Sequence, residues 1–343
     1  MTGCGFAFKP AKQKPFGERT KFKGVVTDFT EYESKGKIST YVEESRKAKI
    51  VARCKQSLHA LTPHMARSLA GKCMFVNAWS GGKHLRASLQ PLYVRSEAPE
   101  GTRRVEPLLK HTLEYIIENV PKLKERVTDL WRMAKEPLLI STDAMYDERR
   151  QEGGFVVIDR AAREFQSAQL VRKGKVYMAG GQTPSEVQQH FTVGLKTYIG
   201  QLEMAWATSP YVSLPHVVRN RRSVHFIDNT GAMAGLIKGY ARRLDMARLT
   251  GGLHALLTEL QADPYWEYVR SKSNLSDLPS RDEMERAIGI LVELGWRREQ
   301  IEIVEAKFPP GDVWTSPSGV WVQAIKRELE GETRGRPEKR RRR

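Results

Sequence analysis

Cysteine is scarce in this chain of 343 residues, and Cys4, Cys54 and Cys73 form no Cys-x-x-Cys pair. An odd number of isolated thiols with no histidine cluster nearby implies neither a disulfide framework nor a zinc site. Long apolar runs are also missing: the N-terminal region has no signal-peptide core, and no window approaches the roughly 18 apolar residues of a membrane span. We therefore expect a soluble intracellular protein with no membrane partner.

Negative charge is in short supply, because 57 lysines and arginines face 40 aspartates and glutamates, a formal net charge of +17. The positive excess lies mainly in the N-terminal arm, the central helices and the C-terminal tail. Such a field attracts polyanions, which favours nucleic acid as the partner. A membrane surface and simple solubility are the alternatives. The composition, 40% hydrophobic and 28% charged, is that of an ordinary globular protein.

The apolar pattern changes character along the chain. Little periodicity precedes residue 49 apart from a strand-like run at 24–29, helical spacing follows, and from residue 137 short apolar runs alternate with helical stretches. In the helical part, the last two helices are predicted at 105–118 and 121–133. We predict five parts: a loosely ordered basic arm (1–48), an α-rich unit (49–136), a mixed α/β domain (137–281), a C-terminal helical extension (282–330) and a disordered basic tail (331–343).

The central segment predicts a sheet flanked by helices, an α/β fold class. Thr183, Pro184 and Glu186 are typical of an N-cap, a first helical residue and a capping-box acid, so one helix is expected from there to about Ala207. Two further helices should follow the next strand. Apolar runs indicate strands at 138–141, 155–158, 224–227 and 265–269, with another within 164–171 or 176–179.

Four acids are placed on alternating elements of this pattern. Asp143 follows the first predicted strand, Glu203 lies on the long helix, Asp228 ends a later strand, and Asp277 occupies a polar turn before a late helix. Hard divalent cations prefer oxygen ligands, and two such ions about 4 Å apart can clamp a phosphodiester. Clustered carboxylates repel one another without a cation, so metal binding should depend on pH.

Each acid taken singly also has a purely structural interpretation. Asp143 suits a turn or a cap, and Glu203 suits a solvated helix face. Asp228 and Asp277 suit caps of the elements that follow them. The four acids indicate a metal site only when they are considered together.

The short sequence motifs around the four acids are more specific to one protein family than the acids themselves. They cover residues 139–144, 153–155, 202–205 and 226–230, and the most distinctive runs from 268 to 281 as YVRSKSNLSDLPSR. Together they resemble the ribonuclease H region of retroelement reverse transcriptases, especially the gypsy-like and tyrosine-recombinase types. The last word is similar to the family's closing motif, V-x-S-x-x-N-x-A-D-x-x-S-R.

This resemblance implies a ribonuclease H-like fold in which Asp143, Glu203, Asp228 and Asp277 hold two Mg²⁺ or Mn²⁺ ions. The family uses such ions to cleave the RNA strand of an RNA/DNA hybrid. Asn229 and Asn274, by the same resemblance, are expected to contact the substrate or to support the acids.

Several features depart from the family. The long stretch between Asp143 and Glu203 suggests an extended hairpin or an inserted loop near residues 173–182, and Ser276 replaces the motif's alanine. No histidine lies between His254 and Asp277, although some ribonucleases H place one there. Residues 69–75 resemble the segment that joins polymerase and ribonuclease H domains. No tyrosine precedes two adjacent aspartates, so a polymerase palm is not expected.

Basic side chains near the acids are the expected substrate contacts. Lys238, Arg242, Arg243 and Arg281 are placed to bind phosphates, with a solvated helix face as the alternative. The tail 334–343 resembles both an AT-hook core and a nuclear localisation signal, so a nuclear protein is expected, although a generic polyanion-binding tail fits as well.

Three functions follow from these features. The first is a metal-dependent ribonuclease that acts on RNA/DNA hybrids and derives from a retrotransposon polyprotein. The second is a catalytically idle remnant that only binds nucleic acid. The third is a transposase-like or integrase-like relative, which the closing motif does not favour.

Overall fold

The computed structural model describes residues 17–311, except for 80, 81, 84, 132–135, 148–149, 167–168 and 194–196. The predicted disordered tail, with its AT-hook and localisation words, therefore lies outside the described residues. Among the described helices, none combines the length and the apolar character that crossing a membrane requires.

The N-terminal residues form a small antiparallel sheet with strand order β1-β2-β3-β4. Its elements are β1 (Arg19–Phe22), β2 (Val25–Asp28), the short helix α1 (Tyr32–Lys35), β3 (Lys37–Val42) and β4 (Arg126–Asp129). Lys23 and Gly24 both have positive φ, 49° and 83°, as a two-residue hairpin turn requires. The predicted loose arm is thus wrong at β1 and β3, whereas the strand-like run predicted at 24–29 is confirmed as β2. The helix predicted at 121–133 is wrong because β4 pairs with the distant β3.

Between β3 and β4 the described residues form a cluster of α-helices. They are α2 (Glu44–Gln56), α3 (Pro63–Trp79), α4 (Gln90–Ser96) and α5 (Pro107–Asn119). Their facing sides bury Ile50, Cys54, Leu69, Cys73 and Leu113 in a core of their own. Cys54 and Cys73 are unbonded and buried, so these two thiols serve as small apolar side chains.

A second sheet of six strands carries the predicted α/β segment, in the order β10-β7-β6-β5-β8-β9. Strands β5, β6 and β7 are antiparallel neighbours, whereas β8 runs parallel to β5, and β9 parallel to β8. The strands are β5 (Leu138–Tyr146), β6 (Gln151–Gln166), β7 (Gln169–Gln182), β8 (Arg222–Ile227), β9 (Asp263–Tyr268) and β10 (Ile301–Ile303).

Two strand predictions need correction. Asp143 does not end the first strand, because β5 continues to Tyr146. The two candidate positions for a third strand belong to one long β6–β7 hairpin. The extended hairpin expected between Asp143 and Glu203 is therefore present, and no inserted loop is needed near residues 173–182.

Helices cover both faces of the six-stranded sheet. They are α6 (Ser185–Gln188), α7 (Ile199–Ser213), α8 (Pro215–Val218), α9 (Thr230–Lys238), α10 (Leu244–Leu260) and α11 (Met284–Glu293). One face packs its apolar residues against α7 and α10. The other face packs Val156, Val176 and Met178 against Ala287, Ile288 and Leu291 of α11. The predicted mixed sheet flanked by helices is confirmed.

The single helix predicted from Thr183 to Ala207 is wrong, because the chain leaves α6 and re-enters helix only at Ile199. Thr183 does not cap α6: its hydroxyl accepts a hydrogen bond from Trp206 Nε1 at 2.9 Å. Asp245 Oδ2 of α10 accepts a bond from the Thr192 amide at 2.8 Å, so this amide is not available for a helical hydrogen bond. Tertiary bonds here overrule a local helix signal.

The closing segment lies directly on the β6–β7 hairpin, and two glycines make this approach possible. A Cβ at Gly180 would lie 2.2 Å from the carbonyl oxygen of Pro279, and one at Gly154 would lie 2.8 Å from the Ser280 amide nitrogen. The segment itself consists of 3₁₀ turns at Ser271–Ser273, Leu275–Asp277 and Pro279–Arg281. Only hydrogen at these two α-carbons leaves room for the segment.

We predict that Gly180→Ala lowers the free energy of unfolding by about 1–3 kcal/mol, because the added methyl group collides with backbone. For a domain of this size, that corresponds to a fall of several degrees in Tm in a thermal melt. Gly289→Ala is the matched control, since a Cβ at this helical position meets nothing within 4 Å and should leave Tm equal or higher. Equal melting of Gly180→Ala and the parent would contradict this view of the contact.

Candidate metal centre

The parallel pairing of β5 with β8 brings two of the predicted acids together. The ladder ends at the pair Thr142 and Ile227, so Asp143 and Asp228 are the next residue on each strand. Neighbouring parallel strands lie about 4.8 Å apart, and ligands of open α/β sheets bind beyond their carboxyl ends. The strand register alone therefore places both carboxyl groups at one point of the sheet.

Glu203 reaches the same point from helix α7. Residues 201–212 of this helix are all buried, so the helix lies inside the fold and Glu203 is not a solvated surface acid. Glu203 is 3% exposed and Asp143 is 4% exposed. Carboxylate oxygens of Asp143, Glu203 and Asp228 all lie within 4.8 Å of one another, close enough for one cation to touch all three.

Asp277 lies apart from this group, although it lines the same cleft. Its Oδ1 pairs with Arg281 Nε at 2.9 Å. The structure thus brings together three of the four predicted acids and gives the fourth an internal cation as its partner. Asp277 joins the group electrostatically, because its charge helps to raise the pKa of Asp143.

The electrostatics of the three acids are those of a site that needs positive charge. Burial raises the pKa of Asp143 to about 7, and the charges of Asp228 and Asp277 add to this shift against the opposing effects of Ser280 and Arg281. Burial also raises the pKa of Glu203 well above its usual range, and Asp143 and Asp228 reinforce the effect. One or more of these groups must hold a proton at neutral pH unless a cation is bound.

Two buried oxygens of these three acids, Oε2 of Glu203 and Oδ1 of Asp228, have no hydrogen-bond donor among the described residues. Acceptors that lie close together repel one another unless a proton, a water molecule or a cation lies between them, and an unpaired buried charge is costly. Oxygen ligands from three separate elements suit a hard divalent cation such as Mg²⁺ or Mn²⁺. The residues present therefore fit the ion that the sequence predicts.

Two serines of the closing segment hold the acids in place. Ser280 Oγ donates to Asp143 Oδ2 at 2.5 Å, and Ser271 Oγ donates to Asp228 Oδ2 at 2.6 Å. Neither serine was selected as a site residue by the sequence argument. Both occupy serine positions of the closing motif, so the signal was present in the sequence without a geometry to interpret it.

The two asparagines take structural positions. Asn229 is the N-cap of α9, with its Oδ1 accepting from the Ala232 amide at 3.0 Å, and its side chain also borders the cleft. Asn274 is buried, and it donates from Nδ2 to the Thr142 carbonyl oxygen at 2.9 Å. Its Oδ1 accepts from Ser276 Oγ at 2.7 Å. Asn274 therefore fastens the closing segment to β5 and is not open to a substrate.

The predicted basic contacts divide into two groups. Arg281 lines the cleft, which has a volume of about 280 Å³. Lys238, Arg242 and Arg243 are exposed near the α9–α10 connection and do not border the cleft. His254, the last histidine before Asp277, is buried with its Nε2 2.9 Å from the Leu236 carbonyl oxygen, so it does not serve the cleft.

No protein-family model matches this sequence, and no curated protein matches it. Among solved structures, the chain is similar to LC9-RNase H1, a type 1 RNase H with the type 2 active-site motif, at 14% identity and a TM-score of 0.30, over 51% of this chain and 92% of that one. It is also similar to the foamy viral protease-reverse transcriptase dRH in complex with double-stranded DNA, at 13% identity and a TM-score of 0.26, over 73% of this chain and 38% of that one. The fold class rests on this chain's own sheet and helices.

We predict that Asp143→Asn stabilises the protein when a chelator keeps it free of metal at pH 8. The unfolded chain ionises Asp143 near its ordinary pKa of 3.8, whereas the folded protein keeps the proton to about pH 7. The folded state thus binds more protons across this window, and the stability of the metal-free parent falls as the pH rises through it. The asparagine removes this loss.

Thermal melts at pH 4 and pH 8 check this prediction. Asp143→Asn should melt several degrees above the parent at pH 8 in chelator, with little difference at pH 4, since about 1 kcal/mol corresponds to about 2–4 °C. Mg²⁺ or Mn²⁺ should raise the Tm of the parent and not that of the variant. A parent that gains no stability from either ion would contradict the assignment.

Proposed function

We propose that this protein is a metal-dependent endoribonuclease that cleaves the RNA strand of RNA/DNA hybrids. The observation that carries the proposal is the group of three carboxylates, two buried and one partly buried, that meet in an open cleft from β5, α7 and the end of β8. Two of their oxygens have no donor among the described residues. Acids gathered in this way are costly in a fold unless a cation repays them. The surrounding net charge of +17 suits a polyanionic substrate.

Asp143, Glu203 and Asp228 would hold the first divalent ion. Asp277 borders the same cleft, and it is the fourth carboxylate that a second ion requires once Arg281 is engaged elsewhere. A divalent cation held there supplies Lewis-acid stabilisation of the charge that develops on a phosphodiester. The chain's own part is to gather the carboxylates at one point and to align two of them, Asp143 through Ser280 and Asp228 through Ser271.

The substrate side of the proposal rests on the basic residues. Arg281 lies at the cleft, where its guanidinium can pair with a phosphate in exchange for Asp277. Lys238, Arg242 and Arg243 form an exposed group for more distant phosphates. Phosphate contacts fix the position of a duplex, whereas a hybrid is distinguished by its 2′-hydroxyls and groove shape. The closing motif supports an origin in a retroelement polyprotein.

A second candidate function is a nucleic-acid-binding protein without catalysis. The pairing of Asp277 with Arg281 favours it, because this pairing leaves three acids in the metal group. The sequence also has no histidine between His254 and Asp277 that could assist turnover. Such a protein would keep the fold and the basic surface and would form no product.

We predict that the purified protein cleaves a labelled RNA/DNA hybrid in Mg²⁺ or Mn²⁺, and that Glu203→Gln reduces the rate by about 100-fold or more. The loss of one ligand charge removes several kcal/mol of stabilisation, and each 1.36 kcal/mol is about tenfold in rate. Glu293→Gln is the matched control, because Glu293 is exposed on α11 and does not line this cleft. Product analysis on denaturing gels gives the rates.

The same experiment separates the two candidates. Filter retention of the hybrid that falls steeply with salt, with no product in either ion, would reject the nuclease and leave the binding protein. Cleavage that survives in Glu203→Gln would show that the activity does not come from this site.

A further inference from the structure

A buried chain of hydrogen bonds runs behind the three carboxylates. The hydroxyl of Tyr211 lies 3.0 Å from Nδ1 of His225, and Nε2 of His225 lies 3.0 Å from Oγ1 of Thr142. All three side chains are 0% exposed. The His225 ring also packs against Trp266, with 4.6 Å between the ring centroids, which fills the space beside the chain.

Each member of this chain lies on one of the three elements that carry the carboxylates. Thr142 directly precedes Asp143 on β5, and His225 is three residues before Asp228 on β8. Tyr211 is on α7, about two turns after Glu203. The chain therefore joins the same strand, strand and helix that meet at the metal centre.

The partners are matched in their hydrogen-bonding capacity. Burial lowers the pKa of His225 to about 3, so the ring stays neutral at any working pH. A neutral imidazole has one donor and one acceptor nitrogen, and the hydroxyls of Tyr211 and Thr142 can each serve in either role. Both tautomers satisfy the whole chain, so the bridge holds without a charge inside the core.

Hydrogen bonds fix the distance and direction between two groups, whereas apolar packing alone does not. The contacts of α7 with the sheet are otherwise largely apolar, and apolar side chains tolerate small sliding movements. A buried polar group that loses its partner is penalised, so a buried chain of this kind specifies one position of the helix along the sheet. The carbonyl oxygen of Thr142 also accepts from Asn274, which ties the closing segment to the same point.

We propose that Tyr211, His225 and Thr142 are positioning residues of the metal centre, which set the spacing of Glu203 from Asp143 and Asp228 by fixing the register of α7 against β5 and β8. This inference rests on the proposed function only in taking a divalent cation as the ligand. None of the three residues lines the cleft.

The test is the affinity of the full-length protein for Mn²⁺, measured by calorimetry in four variants. Thr142→Val and Tyr211→Phe each remove one hydroxyl from the chain while keeping the side-chain shape. Thr142→Ser restores the hydroxyl, and Thr208→Val is the matched control. Thr208 is equally buried on α7, but its hydroxyl donates only to the Met204 carbonyl oxygen of its own helix.

We expect Thr142→Val and Tyr211→Phe to weaken Mn²⁺ binding by about 10-fold or more, as losses of supporting partners around metal ligands do. Thr142→Ser and Thr208→Val should stay close to the parent. Circular dichroism establishes that each variant is folded, and Tyr211→Phe carries the test if Thr142→Val does not fold.

Unchanged Mn²⁺ affinity in folded Thr142→Val and Tyr211→Phe would overturn the inference while leaving the nuclease proposal standing. An equal loss in Thr208→Val would overturn it too, because the effect would then come from any buried hydroxyl of α7. A parent that binds no Mn²⁺ would also overturn it. The expected pattern of affinities without hybrid cleavage would support the inference and reject the nuclease.

Discussion

The parallel pairing of β5 with β8 is the constraint on which the rest of the site depends. This ladder ends at Thr142 and Ile227, and the next residue on each strand is an aspartate. A shift of one residue on either strand would turn one carboxyl group to the other face of the sheet. The α7 helix then adds Glu203 from the side, and the 3₁₀ turns of the closing segment add Ser271 and Ser280 as hydrogen-bond donors.

Such a site opposes folding electrostatically, so the fold must contain compensating features. The metal-free protein tolerates the cluster by keeping protons on it, as the raised pKa values of Asp143 and Glu203 show. Ser280 and Arg281, both in the closing segment, offset part of the repulsion among the carboxylates. The closing segment can lie this close because Gly154 and Gly180 leave room for it. A divalent cation would replace the protons, and this exchange links the stability of the fold to its proposed activity.

Local sequence patterns predicted the parts of this structure that depend on local order. Apolar runs located the strands that lead to Asp143 and Asp228, and apolar spacing located α10 and α11. Long-range contacts decided what was missed: β3 found its partner in the distant β4, and Trp206 took the Thr183 hydroxyl that local spacing assigned to a helix cap. The role of Asn274 could not be decided from the sequence, because an asparagine that is buried and one that contacts a substrate look the same there.

The central claim is that three carboxylates from separate elements form one divalent cation site. A crystal grown or soaked in Mn²⁺ and measured for anomalous scattering tests this most directly. The account predicts a strong peak bounded by oxygens of Asp143, Glu203 and Asp228, with a second peak near Asp277 only if Arg281 has moved away from it. An ordered cleft with no peak, or Mn²⁺ bound only at other acids, would contradict it.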